Sequence, residues 1–367
     1  MLRRIILLIS PLVLLTLWLL VQQPQQEGEW HPLQTRLPVI AQQGDDYLIR
    51  DIRNFRYQAD GMPASADYFD HSYNTEQLQR VWFGLSHFSD HGFAHAFLSF
   101  EFANEDPEQE ADYLVASVEA RLRPDQQYSP FAGLLRQYNR MIVLGTEADI
   151  IGLRSHVRGE RVHLYEMTLT PEQQQHLFRG MMSDAASLSH TPAFYNTLLH
   201  NCVTSLLRHD PDYRVWRHLF DYRVLLPGFG DGFAQDKGWL AQDIALDQLR
   251  SESRIAQQHD PRENNFSALI RARAYLDLTL ENLVAQQSAW QHRLVRTQGV
   301  LRHHPDPLHY WIEDERYNRV ELFPKELAAP FLGQAVEVEG RFRFDPEVGR
   351  AVHLDRIIPA SDSRFPD

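Results

Sequence analysis

The sequence predicts an α+β protein with an antiparallel sheet, preceded by a membrane-spanning helix and followed by a helical segment and a small β module. Strand-like stretches alternate with helical ones over residues 46–250, and the clearest helix signals come late in that range. The chain has 367 residues, 43% of them hydrophobic, which is enough for two or three units with packed cores. We predict an anchor or signal segment, a tether, the sheet domain, the helical segment and the β module, at 1–24, 25–45, 46–250, 251–303 and 304–367.

Charge and cysteine content exclude several classes of protein. The chain has 36 Lys and Arg residues and 49 Asp and Glu residues, for a net charge of −13. A nucleic-acid partner is therefore not expected, because such proteins normally present a basic face. Cys202 is the one cysteine, so neither an intrachain disulfide nor a cysteine zinc knuckle can form. We assign no cofactor.

The N-terminus has the pattern of an export or anchor signal. Arg3 and Arg4 precede Ile5–Val21, a run of 17 residues without charge. This length is near the lower limit for a spanning helix. No A-x-A-like cleavage site follows, so we favour an uncleaved anchor over a cleaved signal peptide. In a bacterium with two membranes, this predicts a single-pass inner-membrane protein with the bulk of the chain in the periplasm.

Three segments illustrate the local predictions in the sheet domain. Ala94–Phe102 alternates as a strand does, whereas Gln77–His87 is predicted as a short helix. Residues 170–173 predict the start of a helix, since the threonine can cap, the proline suits the first position and the glutamine completes a capping box.

Two patterns define the C-terminal part of the chain. Apolar residues at helical spacing over 266–293 predict a long helix or a helical hairpin. Residues 336–344 alternate with period two, and residues 352–357 are predicted to pair with them as a hairpin.

Cys202 lies in a segment with two possible structures. In one continuous helix, Phe194, Leu198 and Leu206 share a face with the cysteine, and the thiol belongs to the core. In the other, Asn201 caps a new helix that begins at Cys202. The helix dipole would then lower the pKa of the thiol and favour the thiolate. The residues alone do not decide between the two.

A nucleophilic cysteine requires a base, and His95 has the most favourable context because a strand can hold its side chain rigidly. His87, His91 and His95 are also spaced four residues apart, which on a helix would create a metal-binding face. Gly92 interrupts such a helix and no H-E-x-x-H motif is present, so we assign no metal site and keep a metal hydrolase as a lesser alternative.

Several stretches in the sheet domain agree in order and spacing with one bacterial family. They are Ile52–Tyr57, His95–Phe100, Ser117–Arg121, Tyr128–Pro130, Thr146–Arg154, Tyr195–Cys202 and Leu226–Gly228. Over about residues 46–245 the chain resembles the Lnb-type N-terminal periplasmic domain. Each stretch is a weak signal, but the ordered set is specific.

The resemblance implies a thiol enzyme with a circularly permuted papain-like fold. The named member of the family is a lipoprotein N-acyltransferase that moves an acyl chain through a thioester on cysteine. Carried over, Cys202 is the nucleophile and His95 is the general base and then the acid. Glu119 on the next predicted strand is the first choice to orient the imidazole, with an ion pair to Arg121 as the alternative role. Residues assigned to binding are Asn201, Arg53, Tyr57 and Arg121.

The sequence thus predicts an anchored periplasmic cysteine acyltransferase, or an acyl or amide hydrolase, with a lipid-linked or lipoprotein-like substrate. The named acyltransferase has a multispan region after this domain, whereas no such region follows Val21 here, so the acceptor stays open. A non-catalytic envelope scaffold is the alternative. A half-exposed thiol beside His95 would favour the enzyme, and a buried thiol with His95 elsewhere would favour the scaffold.

Overall fold

A computed structural model describes residues 13–14, 16–89, 92–104, 111–197, 202–209, 221–257, 259–272, 275–346 and 349–360. The chain packs into two compact units, Met1–Arg271 and Ala272–Asp367. The described part of the first unit contains an eight-stranded sheet, and that of the second a six-stranded sheet. The protein is therefore a mixed α+β structure, as the sequence predicts.

The sheet of the first unit is almost wholly antiparallel. Its strands are β1 (Val39–Gln43), β2 (Asp46–Tyr57), β3 (Pro63–Asn74), β4 (Leu78–His87), β5 (Ala94–Phe102), β6 (Asp112–Arg121), β7 (Asn139–Gly145) and β8 (Arg161–Glu166). They lie in the order β1-β2-β7-β6-β5-β4-β8, with β3 paired to β2. The β2–β7 pair is parallel, and the other pairs are antiparallel.

Helices pack on both faces of this sheet. They are α1 (Pro130–Leu134), α2 (Glu147–Gly152), α3 (Pro171–His190), α4 (Cys202–Leu207), α5 (Tyr222–Leu225), α6 (Gly230–Asp236), α7 (Leu246–Glu252) and α8 (Phe266–Leu269). Helices α3 and α4 cover the face that contains Ala96 and Leu98. Helices α2 and α8 cover the opposite face, which contains Phe97. The capping box predicted at the start of α3 is confirmed.

Three predictions for the first unit need correction. Gln77–His87, predicted as a short helix, is mostly strand β4, because it lies between β5 and β8 and is buried on both faces. The segment predicted as a tether contributes β1, which pairs with β2. The predicted membrane-spanning run includes residues 5–12 and 15, which lie outside the described residues. In the part of the chain that is described, no helix is long and apolar enough to cross a membrane.

The second unit is a β barrel. Its strands are β9 (Leu276–Asp277), β10 (Leu294–Pro305), β11 (Leu308–Glu313), β12 (Arg319–Phe323), β13 (Ala335–Asp345) and β14 (Gly349–Pro359), with helices α9 (Leu280–Ala285) and α10 (Lys325–Ala328). The order β10-β11-β12-β14-β13 closes on itself, because β13 also pairs with β10. Only the β12–β14 pair in this ring is parallel. This five-stranded order is that of the OB-fold. The predicted hairpin of β13 and β14 is confirmed.

The long helix predicted over 266–293 is wrong. Two short helices, α8 and α9, stand there instead, and β10 begins at Leu294. The apolar residues at helical spacing serve two different cores. Phe266 packs in the first unit, whereas Leu280 and Leu283 pack in the barrel. The predicted helical segment 251–303 is therefore divided between the two units at Arg271.

Candidate active site

A cavity of about 580 Å³ lies where strands β5 and β6 separate. Their ladder ends at the pair Phe97 and Ser117, so the residues before Phe97 and after Ser117 are not paired with each other. Cys202, His95 and Glu119 all line this cavity. Three residues predicted from the sequence to act together therefore share one cavity.

Cys202 is the first residue of α4, and residues 192–197 are not helical. The structure thus agrees with a new helix at Cys202 and not with one continuous helix, while the predicted cap Asn201 lies outside the described residues. The thiol is buried, with 4% of the residue exposed. The backbone N–H groups of Ala96, Val203 and Cys202 itself donate hydrogen bonds to it. The contact with Ala96 places the thiol at the opening between the strands.

His95 points to the opposite face of the sheet from Ala96, following the alternation of a strand. Its Nε2 atom is 2.7 Å from the hydroxyl of Ser117. That hydroxyl donates to Oε1 of Glu119 at 2.9 Å, whereas Nε2 and Oε1 are 4.0 Å apart. Ser117 therefore connects the imidazole to the carboxylate. Nδ1 is therefore the ring nitrogen that does not take part in the contact with Ser117.

Glu119 is held by groups from three parts of the chain. Arg154 donates to Oε1 at 3.1 Å, and the side chain of Gln34 donates to Oε2 at 3.2 Å. Arg154 lies in a π-helix, Leu153–Val157, which continues α2. Such insertions often occur at functional sites. Burial alone would raise the pKa of Glu119, but the charges of Arg154, His95 and Arg53 outweigh it and lower the pKa to about 2.

The thiol and the imidazole are both neutral at pH 7. Burial lowers the pKa of His95 to about 3, and the nearby charge of Arg154 acts in the same direction. Burial also raises the pKa of Cys202, although the neighbouring backbone N–H groups oppose this. The lowered thiol pKa expected at a helix start is therefore not found, because the loss of hydration outweighs the favourable N–H groups.

The depressed pKa of His95 predicts a specific loss of stability in acid. An unfolded histidine, with a pKa near 6.5, binds protons between pH 7 and 5, whereas folded His95 does not. Its contribution to stability is therefore complete above pH 6.5 and is lost as the pH falls towards 3. Between pH 7 and 5 the loss is about 2 kcal/mol. Urea unfolding at both pH values should show a smaller acid loss for His95→Gln than for wild type.

The exposed His190→Gln is the control and should behave as wild type. His163, whose pKa is also lowered mainly by burial, to about 4, contributes equally to all three proteins and cancels in the comparison. An identical acid loss in wild type and His95→Gln would contradict the assignment.

The other predicted binding residues are occupied by structural contacts. Arg53 lines the cavity, but its guanidinium makes a two-point ion pair with Asp149. The Tyr57 hydroxyl also donates to Asp149, at 2.5 Å. Arg121 donates to the carbonyls of residues 34 and 35 and stacks on Trp30. It does not pair with Glu119, so that alternative is not found, and Arg154 takes the place instead.

The helical geometry needed for a three-histidine metal site is absent. His87 ends β4 and His95 follows the start of β5, so the two lie on antiparallel strands, while His91 is outside the described residues. Gly92, with φ of +78°, lies in the connection between them. Within the described ranges, no group of three His, Cys, Asp or Glu side chains is arranged to hold a metal ion.

Sequence reasoning missed several residues around the thiol. Ser117 shares a strand face with Glu119 two residues on, and this spacing on a predicted strand was the available signal. Gln34 gave no signal, since it is 85 residues from the carboxylate that it contacts. The hydroxyls of Tyr128 and Tyr195 also face this region. Burial raises the pKa of both phenols, and the proximity of Cys202 adds to the shift.

Fold and cavity together define an α+β domain in which a cysteine at a helix start and a histidine on an antiparallel sheet line one cavity. Residues 64–228 match the model of the family described as the Lnb N-terminal periplasmic domain. The family indicates a periplasmic envelope protein. Comparison with curated proteins gave no match to the chain. Gln34 and Arg53 lie before the matched residues.

Proposed function

We propose that this protein is a periplasmic thiol enzyme that transfers or hydrolyses acyl groups through a thioester on Cys202. The observation that supports the proposal most is the shared cavity of Cys202 and His95, with His95 linked through Ser117 to the partly buried Glu119. A nucleophile, a base and a group that orients the base form the arrangement needed for such chemistry. We further propose that the domain is a permuted papain-like fold, with α4 as the helix of the nucleophile.

In the first step, Sγ of Cys202 attacks the acyl carbonyl carbon while its proton passes to Nδ1 of His95. The carbonyl π electrons become an oxyanion, for which the backbone N–H of Cys202 and the Tyr195 hydroxyl are the proposed donors. The oxyanion then collapses, the bond to the leaving group breaks, and that group takes the proton from His95. The thioester remains on Cys202.

In the second step, an acceptor attacks the thioester and loses its proton to His95. With water as acceptor, the product is a carboxylic acid, and with an amine it is an amide. In both cases the C–S bond breaks and the proton returns from His95 to sulfur. Because both groups start neutral, we propose that the base acts during the attack and that no thiolate–imidazolium pair exists beforehand.

The substrate proposal combines the cavity with the N-terminus. Apolar side chains, including Phe88, Phe93 and Leu225, line the same cavity as the thiol. We propose a lipid-linked or lipoprotein-like acyl donor, brought close by an anchor at Ile5–Val21 in the inner membrane. The N-terminal segment of the described chain contributes His31 and Leu33 to the cavity wall, so chain that follows the proposed anchor borders the site.

A non-catalytic envelope scaffold is the second candidate, and the burial of the thiol favours it. The enzyme and the scaffold predict different results in an experiment on the full chain in detergent micelles. After incubation with a p-nitrophenyl acyl ester, intact mass spectrometry is expected to find one acyl group, released by hydroxylamine at neutral pH. Cys202→Ala should carry none.

A scaffold would give no hydroxylamine-sensitive adduct in wild type, even with short acyl chains that can enter a narrow cavity. An adduct that persists in Cys202→Ala would also contradict the proposal, because it would place the acyl group on another side chain.

A further inference from the structure

Two groups of packed aromatic rings lie on the outer face of the barrel in the second unit. His304 on β10 stacks with His309 on β11, with ring centroids 5.5 Å apart. His309 lies 5.2 Å from Trp311 on the same strand. Phe323 on β12 stacks with His353 on β14 at 5.6 Å. We call these five residues the ring surface.

The ring surface faces away from the core of the barrel. Each of its residues alternates along its strand with buried apolar residues of that core, which are Leu301, Ile312, Leu322 and Val352. His304 and His353 are exposed, and the other three rings are partly buried. Rings that pack against each other at the surface lose little conformational freedom when a ligand binds. The rings of this surface are therefore already ordered before a ligand binds.

Positively and negatively charged side chains around the ring surface are equal in number. The Trp311 indole N–H donates to Glu313 at 2.9 Å, and Nε of Arg302 donates to the same carboxylate at 2.9 Å. The Arg319 guanidinium lies 5.9 Å from the Trp311 ring, and Glu321 pairs in register with Trp311. These two arginines and two carboxylates balance in number, on a chain with a net charge of −13. A polyanion such as nucleic acid finds no net positive surface here.

We propose that the ring surface binds a neutral oligosaccharide. The C–H groups on the flat face of a sugar match the negative face of an aromatic ring, and its hydroxyls can both donate and accept at an arginine–carboxylate rim. Barrels of this strand order often take oligosaccharides or oligonucleotides on the second and third strands. The fold alone does not identify the ligand. The balanced charge of the ring surface favours the uncharged oligosaccharide over the negatively charged oligonucleotide. The proposal is independent of the chemistry at Cys202.

The test is isothermal titration of the full chain with chitotetraose and with cellotetraose at pH 7.5. The detergent must be zwitterionic, because a glycoside detergent would compete for the site. Saturable binding of at least one tetrasaccharide is expected. Trp311→Ala should weaken it by about tenfold or more, as for a central aromatic contact, and the exposed His304→Ala by about threefold. Tyr317→Ala, which removes an exposed ring of the same unit outside the ring surface, should bind as wild type.

Circular dichroism checks that each variant is folded, and His304→Ala keeps the proposal testable if Trp311→Ala unfolds. No saturable binding of either sugar would overturn the proposal, as would unchanged binding by both ring variants. The same titration is repeated with a single-stranded oligothymidylate of eight nucleotides. If this oligonucleotide binds more tightly than the sugars, the proposal is also overturned, and the ring surface would be a nucleic-acid site instead.

Discussion

Replacing His95 with glutamine is expected to slow the acylation of Cys202 by about 10²- to 10⁴-fold at pH 7.5, the usual range for loss of a general base. The reason is that the thiol starts protonated, since burial raises its pKa. Without His95, the attacking sulfur has no acceptor for its proton. Glutamine is close in size and can keep a hydrogen bond to Ser117. The measurement is the second-order rate constant of acyl transfer from a p-nitrophenyl ester, followed by mass spectrometry.

The pH dependence makes this prediction specific. As the pH rises through the pKa of the thiol, thiolate forms without help from a base, and the difference between wild type and His95→Gln should narrow. His87→Gln is the matched control, because that histidine also lies at a strand end of the same sheet but does not line the cavity. Equal rates for wild type and His95→Gln at pH 7.5 would contradict the role of His95 as the base in the mechanism.

The link through Ser117 gives a graded version of the same experiment. Ser117→Ala removes the hydroxyl between His95 and Glu119 but leaves both charged or titrating groups in place. Loss of one hydrogen bond of this kind is expected to reduce the acylation rate by about tenfold. A rate equal to that of wild type would mean that Glu119 serves the fold alone.

The parts of the site that could be predicted are those whose sequence pattern is confined to a few neighbouring residues. A lone cysteine, a histidine in an alternating strand and a glutamate on the next strand are visible in the sequence, and all three line one cavity. The partners of Glu119 depend on long-range packing. Gln34 comes from a segment with the composition of a tether, and Arg154 was named only as the end of the stretch Thr146–Arg154 that carries the resemblance.

The pKa of the thiol shows a different limit. The position of Cys202 at a helix start was one of two local alternatives, and the structure agrees with it. The direction of the pKa shift depends on how deeply the thiol is buried, and no local sequence pattern indicates that burial. The barrel shows the same limit for the fold. Leu276, Leu280 and Leu283 have helical spacing, but the first lies in β9 and the other two in α9, so the strand order emerges only from pairing between distant residues.

Replacing Asp149 with asparagine is expected to destabilise the first unit by about 3–5 kcal/mol, as when one partner of a buried ion pair is removed. Asp149 is fully buried and accepts two hydrogen bonds from Arg53, both at 2.9 Å. It also accepts from the backbone of Phe55 at 2.8 Å and from Tyr57. Asparagine keeps the shape but leaves the guanidinium of Arg53 buried without a counter-charge. Urea unfolding at pH 7 measures the loss.

Asp51→Asn is the matched control, because its ion pair with Arg36 lies at the surface, where the arginine side chain is 59% exposed. Its expected loss is at most about 1 kcal/mol. If Asp149→Asn cannot be purified, Tyr57→Phe removes one of the four hydrogen bonds and should cost about 1 kcal/mol. Small and equal losses of unfolding free energy for both aspartate variants would mean that the ion pair of Arg53 does not stabilise the fold. Its position on the cavity wall would then favour the binding role predicted from the sequence. A large loss of stability for Asp149→Asn alone would instead show that Arg53 and Tyr57 stabilise the structure around the cavity.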